Sequence, residues 1–225
     1  MSTYVLVPGA CHGGWWYDPI AAELRAAGHT VHAVTLTGLG PQESGAGVNL
    51  DTHIDDVVRL LEAEDLNDVV LCGHSYAGMV ITGVADRVPE RIATLLHVDA
   101  FAPEDGDSAW SLTDGFWHDW YAGGAGRDGF AFAPLPVHEE RAVPHPLGTV
   151  VQELRLTGAH LRVPRREYVY CAEFENSPFT PTYERLKDDP SWHVRALPVG
   201  HDLVQEAFDD FREILLDAAR ETSRA

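Results

Sequence analysis

The chain has 225 residues, 45% of them apolar, and 16 Lys and Arg against 35 Asp and Glu give a formal charge of −19. That length and composition suit one globular domain, and so negative a surface repels phosphate backbones and anionic lipid, which argues against nucleic-acid or membrane partners. The single lysine, Lys187, removes most Schiff-base and P-loop chemistry.

The opening MSTYVLVPGA lacks a basic leader, and no later stretch reaches the ~18 apolar residues of a membrane span, so a cytoplasmic, unprocessed protein is expected. Six short β-like runs follow along the chain, at 4–7, 30–34, 69–72, 94–98, 167–171 and 193–197. Several are apolar at consecutive positions, as in VVLC and TLLHV, which suits strands buried on both faces of a parallel sheet. Helical patterns lie between them. Asp18-Pro19 reads as an N-cap and a first-turn proline, with Gly28 as the residue that ends the helix. Residues 52–64 put Ile54, Val57, Val58 and Leu61 on one face, and 205–219 do the same with Phe208, Phe211, Ile214, Leu215 and Ala218. Alternation of this kind predicts an α/β fold with right-handed crossovers and helices on both faces of the sheet. From 101 to 164 the alternation stops, and Gly, Pro and aromatics dominate, among them Trp110, Trp117 and Trp120. So long a segment predicts a small helical lid inserted after the fourth strand. The core is then 1–100 with 165–225, and the cap 101–164.

Cys11, Cys72 and Cys171 are far apart and show no C-x-x-C spacing, and the 12 histidines include no H-E-x-x-H pair. Neither a disulfide framework nor a metal or other cofactor is expected.

The strongest local signal is VVLCGHSYAGMVITGVA at 69–85: a buried run, a turn of small residues holding Ser75, then an apolar helix start. This is a nucleophile-elbow pattern, missed by one residue because Ala77 stands where G-x-S-x-G has its second glycine and Gly78 follows. A serine nucleophile needs a base and an oxyanion site. His201, between the last β-run and the final helix, is placed to be the base. The amides of Ala10, in the loop after the first run, and of Tyr76, next to the serine, are the expected oxyanion donors, each worth about 3 kcal/mol in the transition state. The acid is open. Asp99 follows the fourth run 24 residues after Ser75 and is preferred; Glu173 and Glu175 follow the fifth. His12, Trp15, Trp110 and Trp117 are candidate substrate contacts, although packing of the loop and lid would explain them equally. His74 reads as structural.

These motifs, with TLTGLG, THIDDVV, VDAFAPEDG and the closing GHD, extend over nearly the whole chain. The sequence resembles the serine α/β-hydrolase fold enzymes, in particular bacterial esterases of the pyrethroid or salicylate type, related to plant methyl-ester esterases and hydroxynitrile lyases. The resemblance implies the α/β-hydrolase fold and carboxyl-ester hydrolysis through an acyl-enzyme. It also implies a lid of the kind that packs between subunits of a homodimer. Pro8-Gly9 replaces the His-Gly usual in the family. A neutral apolar or aromatic ester is the expected small-molecule substrate, since the charge disfavours anions unless Arg127, Arg141 or Arg155 lines the lid. Two other readings stand beside this one. The same triad could run a lyase or tailoring step (deacylation, lactone opening, cyclisation), although the lyases' pocket lysine has no counterpart beyond Lys187, on an expected outer helix. The scaffold could also serve as a non-catalytic small-ligand receptor.

Overall fold

The central apolar runs become strands because they have helices to bury against on both faces, whereas the edge strands Thr30–Ala33 and His193–Leu197 are only partly covered. In a computed structural model, which describes residues 1–41, 45–124 and 129–220, the strands are β1 (Thr3–Val7), β2 (Thr30–Ala33), β3 (Val69–Ser75), β4 (Ile92–Ala100), β5 (Ala131–Phe132), β6 (His145–Pro146), β7 (Arg165–Cys171) and β8 (His193–Leu197). Six form one sheet in the order β2-β1-β3-β4-β7-β8, every neighbouring pair parallel, while β5 and β6 pair antiparallel apart from it.

Helices α1 (Asp18–Ala26), α2 (Leu50–Ala63), α3 (Ala77–Arg87), α4 (Gly115–Gly124), α5 (Gly148–Val151), α6 (Thr180–Leu186), α7 (Leu203–Glu206) and α8 (Phe208–Arg220) complete the fold. Side chains alternate across a strand, and the core divides accordingly. Val5, Val7, Val69 and Leu71 pack with Ile54 and Leu61 of α2 and Val80 and Ile81 of α3. Tyr4, Leu6, Val70 and Cys72 pack with Ile20 and Leu24 of α1 and Phe211, Ile214 and Leu215 of α8. Burying each such side chain stabilises the fold by roughly 1.5–3 kcal/mol, so a run apolar on both faces gains most as a central strand. All three cysteines are buried and unpaired.

Three local expectations need correction. Asp18 does not cap α1: it is the first helical residue, with no side-chain cap before it, because the 3-10 turn Gly14–Tyr17 runs directly into the helix. Gly28 does end it, at φ 86° and with the His29 N–H bonded back to the Leu24 carbonyl. Helix 52–64 starts two residues earlier, where Asn49 and Thr52 form a reciprocal capping box. The expected helix over 205–219 is broken at Ala207, at φ −141°, into α7 and α8. Asp202 caps α7, and Glu206 turns back to accept the Gly200 N–H at 2.6 Å, which anchors the loop holding His201.

Residues 101–164 contain α4, α5, the β5–β6 ribbon and the 3-10 turn Ala159–Arg162, so helix is only part of the segment. Ala109, Tyr121, Phe132 and Val150 bury into the same cluster as α2 and α3. The segment therefore lies on the core and does not stand away from it. Among the described residues no helix is long and apolar enough to cross a membrane.

Candidate active site

The carboxyl edge of the sheet gathers residues from four separate loops. At the end of β3, Ser75 sits at φ 57°, a left-handed conformation that is strained for serine and turns the chain from strand into α3. The turn is crowded. A Cβ on Gly9 would lie 3.0 Å from Ser75 Cβ and 3.1 Å from His74 Nδ1, so the loop after β1 rests directly against the elbow.

Asp99 ends β4 in a bulge. His74 pairs with Val98 and Ser75 with Ala100, which leaves Asp99 as the extra residue, at φ 40°. Bulges of this kind re-aim a side chain. Asp99 is fully buried; its Oδ1 accepts the Cys171 N–H at 3.1 Å and its Oδ2 lies 2.6 Å from His201 Nδ1. The carboxylate can only accept, so Nδ1 carries the proton and His201 Nε2 is left with a free lone pair. Glu173 and Glu175, the other acid candidates, are exposed.

His74 holds the His201 loop from the other side. Its Nε2–H donates to the His201 carbonyl at 2.9 Å, and its ring stacks on Trp16 at 4.6 Å. Burial and the nearby His201 hold its pKa well below the ordinary histidine value, so it serves as a neutral donor.

Tyr76 is fixed by its hydroxyl. His53 Nε2–H donates to the Thr37 carbonyl at 2.9 Å, which leaves Nδ1 to accept the Tyr76 O–H at 3.0 Å. Burial lowers the His53 pKa to about 4, in keeping with that neutral tautomer. Among the described residues neither the Ala10 nor the Tyr76 amide has a hydrogen-bond partner. Free amides beside the serine are what an oxyanion requires.

The candidate substrate contacts separate. His12 places Nδ1 2.7 Å from the Ala10 carbonyl and Nε2 2.8 Å from Glu139 Oε2, so it organises the loop. Trp15 lies under the Arg141 guanidinium, 4.6 Å from the ring centroid. Trp110 stacks on His118 at 3.9 Å and bonds through its amide to the Val150 carbonyl, so it holds residues 101–164 together internally. Trp117 packs edge-on against Phe174 at 6.1 Å, and Phe174 stacks on His201 at 4.5 Å. Phe179 covers His201 as well, at 5.5 Å. Of the lid arginines, Arg155 is exposed and paired with Glu153 at 2.6 Å, and Arg127 lies outside the described residues.

Residues 4–214 match the model of the alpha/beta hydrolase family. The carbendazim hydrolyzing esterase of Nocardioides sp. (strain SG-4G) is 38% identical over 96% of this chain and 98% of its own length. The chain belongs to the alpha/beta hydrolase family. Methylesterase 7 of Arabidopsis thaliana is 34% identical to 45% of this hydrolase, a match that spans 40% of the plant protein. Among solved structures, an extracellular alpha/beta-hydrolase from a Paenibacillus species aligns with a TM-score of 0.84 at 24% identity, covering 98% of this chain and all of the other. The pyrethroid hydrolase of Sphingobium faniae JZ-2 aligns at 0.81 and 19%, over all of this chain and 99% of that one. Such identities speak for the fold alone.

Several residues around the hydrolase's site were not legible in the sequence. Phe174 and Phe179 flank the turn after β7, and their aromatic character was the only available signal. His138, whose ring centroid is 5.0 Å from that of His12, and Glu139 gave none, because they lie in the lid far from every motif.

Proposed function

We propose that this esterase-type hydrolase cleaves carboxylic esters of neutral, apolar or aromatic substrates through an acyl-enzyme on Ser75, with His201 as base and Asp99 as its acid. The observation that carries the reading is the 2.6 Å bond from His201 Nδ1 to the buried Asp99, at the same sheet edge as Ser75 in its left-handed turn. Asp99 holds the imidazole through Nδ1, which leaves Nε2 to act as the base for the serine. Ser75 Oγ attacks the ester carbonyl and its proton passes to Nε2. The oxyanion accepts from the Ala10 and Tyr76 amides. Collapse expels the alcohol, which takes the proton from His201, and water then clears the acyl group by the same steps.

The aromatic preference is supported by Phe174 and Phe179 over His201 and by Trp117 behind Phe174. Residues 101–164 act as the cap over that surface. The full-length relative is named for hydrolysing carbendazim, which makes carbendazim a substrate to assay beside p-nitrophenyl esters. A lyase that depends on a pocket lysine is disfavoured, because Lys187, at the end of α6, pairs with Glu184 at 2.5 Å on the surface. Ser75→Ala is expected to reduce p-nitrophenyl butyrate hydrolysis by about 10⁶-fold and to abolish labelling by a fluorophosphonate probe. Unchanged turnover in that variant would refute the mechanism.

A further inference from the structure

The loop that carries the Ala10 amide has no regular structure to hold it. Cys11 sits at φ 69°, and within 9–12 the backbone makes one internal bond, His12 N–H to the Gly9 carbonyl at 3.3 Å. Its tethers come from one short stretch of the lid. The Val143 N–H donates to the Cys11 carbonyl at 3.0 Å. The Cys11 N–H donates to His145 Nδ1 at 3.1 Å. His145 is oriented for this, because the Thr149 hydroxyl is committed to the Pro146 carbonyl at 2.8 Å and therefore receives the His145 Nε2–H at 2.9 Å.

The third tether is Glu139, and it has two arms. Its Oε2 lies 2.8 Å from His12 Nε2, whose ring Nδ1 meets the Ala10 carbonyl at 2.7 Å, and its Oε1 accepts the Gln205 side-chain N–H at 3.2 Å. Gln205 lies on α7, which begins two residues after His201. One carboxylate on the lid thus joins the loop offering the oxyanion amide to the loop offering the base.

We infer that Glu139 is a positioning residue for ester hydrolysis, a clasp that sets the oxyanion loop and the His201 loop at a fixed separation. The inference rests on the serine-esterase reading above. Its consequence concerns the transition state: the Ala10 amide must meet the oxyanion while Nε2 meets the serine proton, and misplacement of such groups by about 1 Å costs on the order of 10²-fold. Binding of the substrate's apolar parts does not pass through Glu139.

The test measures kcat and KM for p-nitrophenyl acetate, and the rate of fluorophosphonate labelling, in wild type, Glu139→Ala, Gln205→Ala and the double variant. Glu139→Ala should lower kcat and the labelling rate together by about 10- to 100-fold, with KM within about twofold of wild type. Gln205→Ala should give a smaller loss of the same kind. The double variant should be no slower than Glu139→Ala, because both remove one clasp. Melting temperatures separate this from unfolding, and Gln205→Ala, which leaves the His12 arm intact, keeps the test valid should Glu139→Ala fold poorly. A raised KM with unchanged kcat, or multiplicative losses in the double variant, would overturn the clasp. A wild-type protein that neither turns over the ester nor takes up the probe would overturn the serine-esterase reading and the clasp with it. Normal labelling of wild type with an unaffected Glu139→Ala would overturn the clasp alone.

Discussion

At the scale of single residues, function turns on which atom of which side chain is committed. Both oxygens of Asp99 are engaged, one by the Cys171 N–H and one by His201. Asp99→Asn presents an amide that can donate to His201 Nδ1, which would put the ring proton on Nε2 and leave no base for the serine. A loss of about 10⁴ in kcat is expected, measured with p-nitrophenyl butyrate at constant pH. Glu173→Gln should leave kcat within about twofold, since that carboxylate is exposed. The reverse pattern would move the acid to Glu173. Sequence spacing brings Asp99 to the same edge of the sheet as Ser75. The bulge that turns its carboxylate toward His201 depends on register with β3, which no local pattern encodes.

At the scale of elements, the elbow explains its own glycines. The G-x-S-x-G pattern asks for a small residue two positions after the serine, and fully buried Ala77 meets that need. The tighter position is the next one. A Cβ on Gly78 would lie 1.9 Å from the Phe101 carbonyl oxygen, a backbone atom that cannot rotate away. Gly78→Ala must therefore push α3 off the start of the lid segment. It should cost about 3 kcal/mol and lower Tm by roughly 6–12 °C in a chain of this size, with activity falling because Ser75 begins the same turn. A Tm within a degree of wild type would contradict the crowding argument. The break between α7 and α8 has a similar logic. The periodicity of 205–219 is continuous, yet Asp202 and Glu206 spend their carboxylates on the Gln205 and Gly200 amides, so the first turn belongs to the His201 loop.

For the whole molecule, buried histidines set a limit on acid stability. Burial lowers His53 to about 4 and His97 to about 3, and it depresses His74 and His145 as well. In the unfolded chain these rings take up protons near pH 6.5. The unfolded state is thus the first to gain protons as pH falls, and stability that is full above pH 6.5 is lost from there down to the folded values. His53 and His97 alone contribute a slope of roughly 3 kcal/mol per pH unit between about 6 and 4. Urea unfolding at pH 7 and pH 5 should show a markedly lower midpoint at pH 5, and equal midpoints would argue against neutral buried rings. Residues 101–164 extend the same economy of burial, since Tyr121 and Phe132 bury against the core of α2 and α3 while Glu139 reaches His12 in the loop after β1.

The sequence by itself determined the alternation of apolar runs and amphipathic helices, hence a parallel sheet covered on both faces, and the serine, histidine and preferred aspartate at strand ends. Those are local properties: period, turn chemistry and the order of elements along the chain. The tertiary structure alone decided the bulge that aims Asp99, the Phe174 and Phe179 faces over His201, and the grip of Glu139 and His145 on the loop after β1. The grips of Glu139 on His12 and of His145 on Cys11 join residues 127 and 134 positions apart, the two phenylalanines reach His201 from another loop, and the bulge depends on the register of β4 with β3. Such contacts are fixed by how the layers pack, a constraint that sequence windows of one element do not contain.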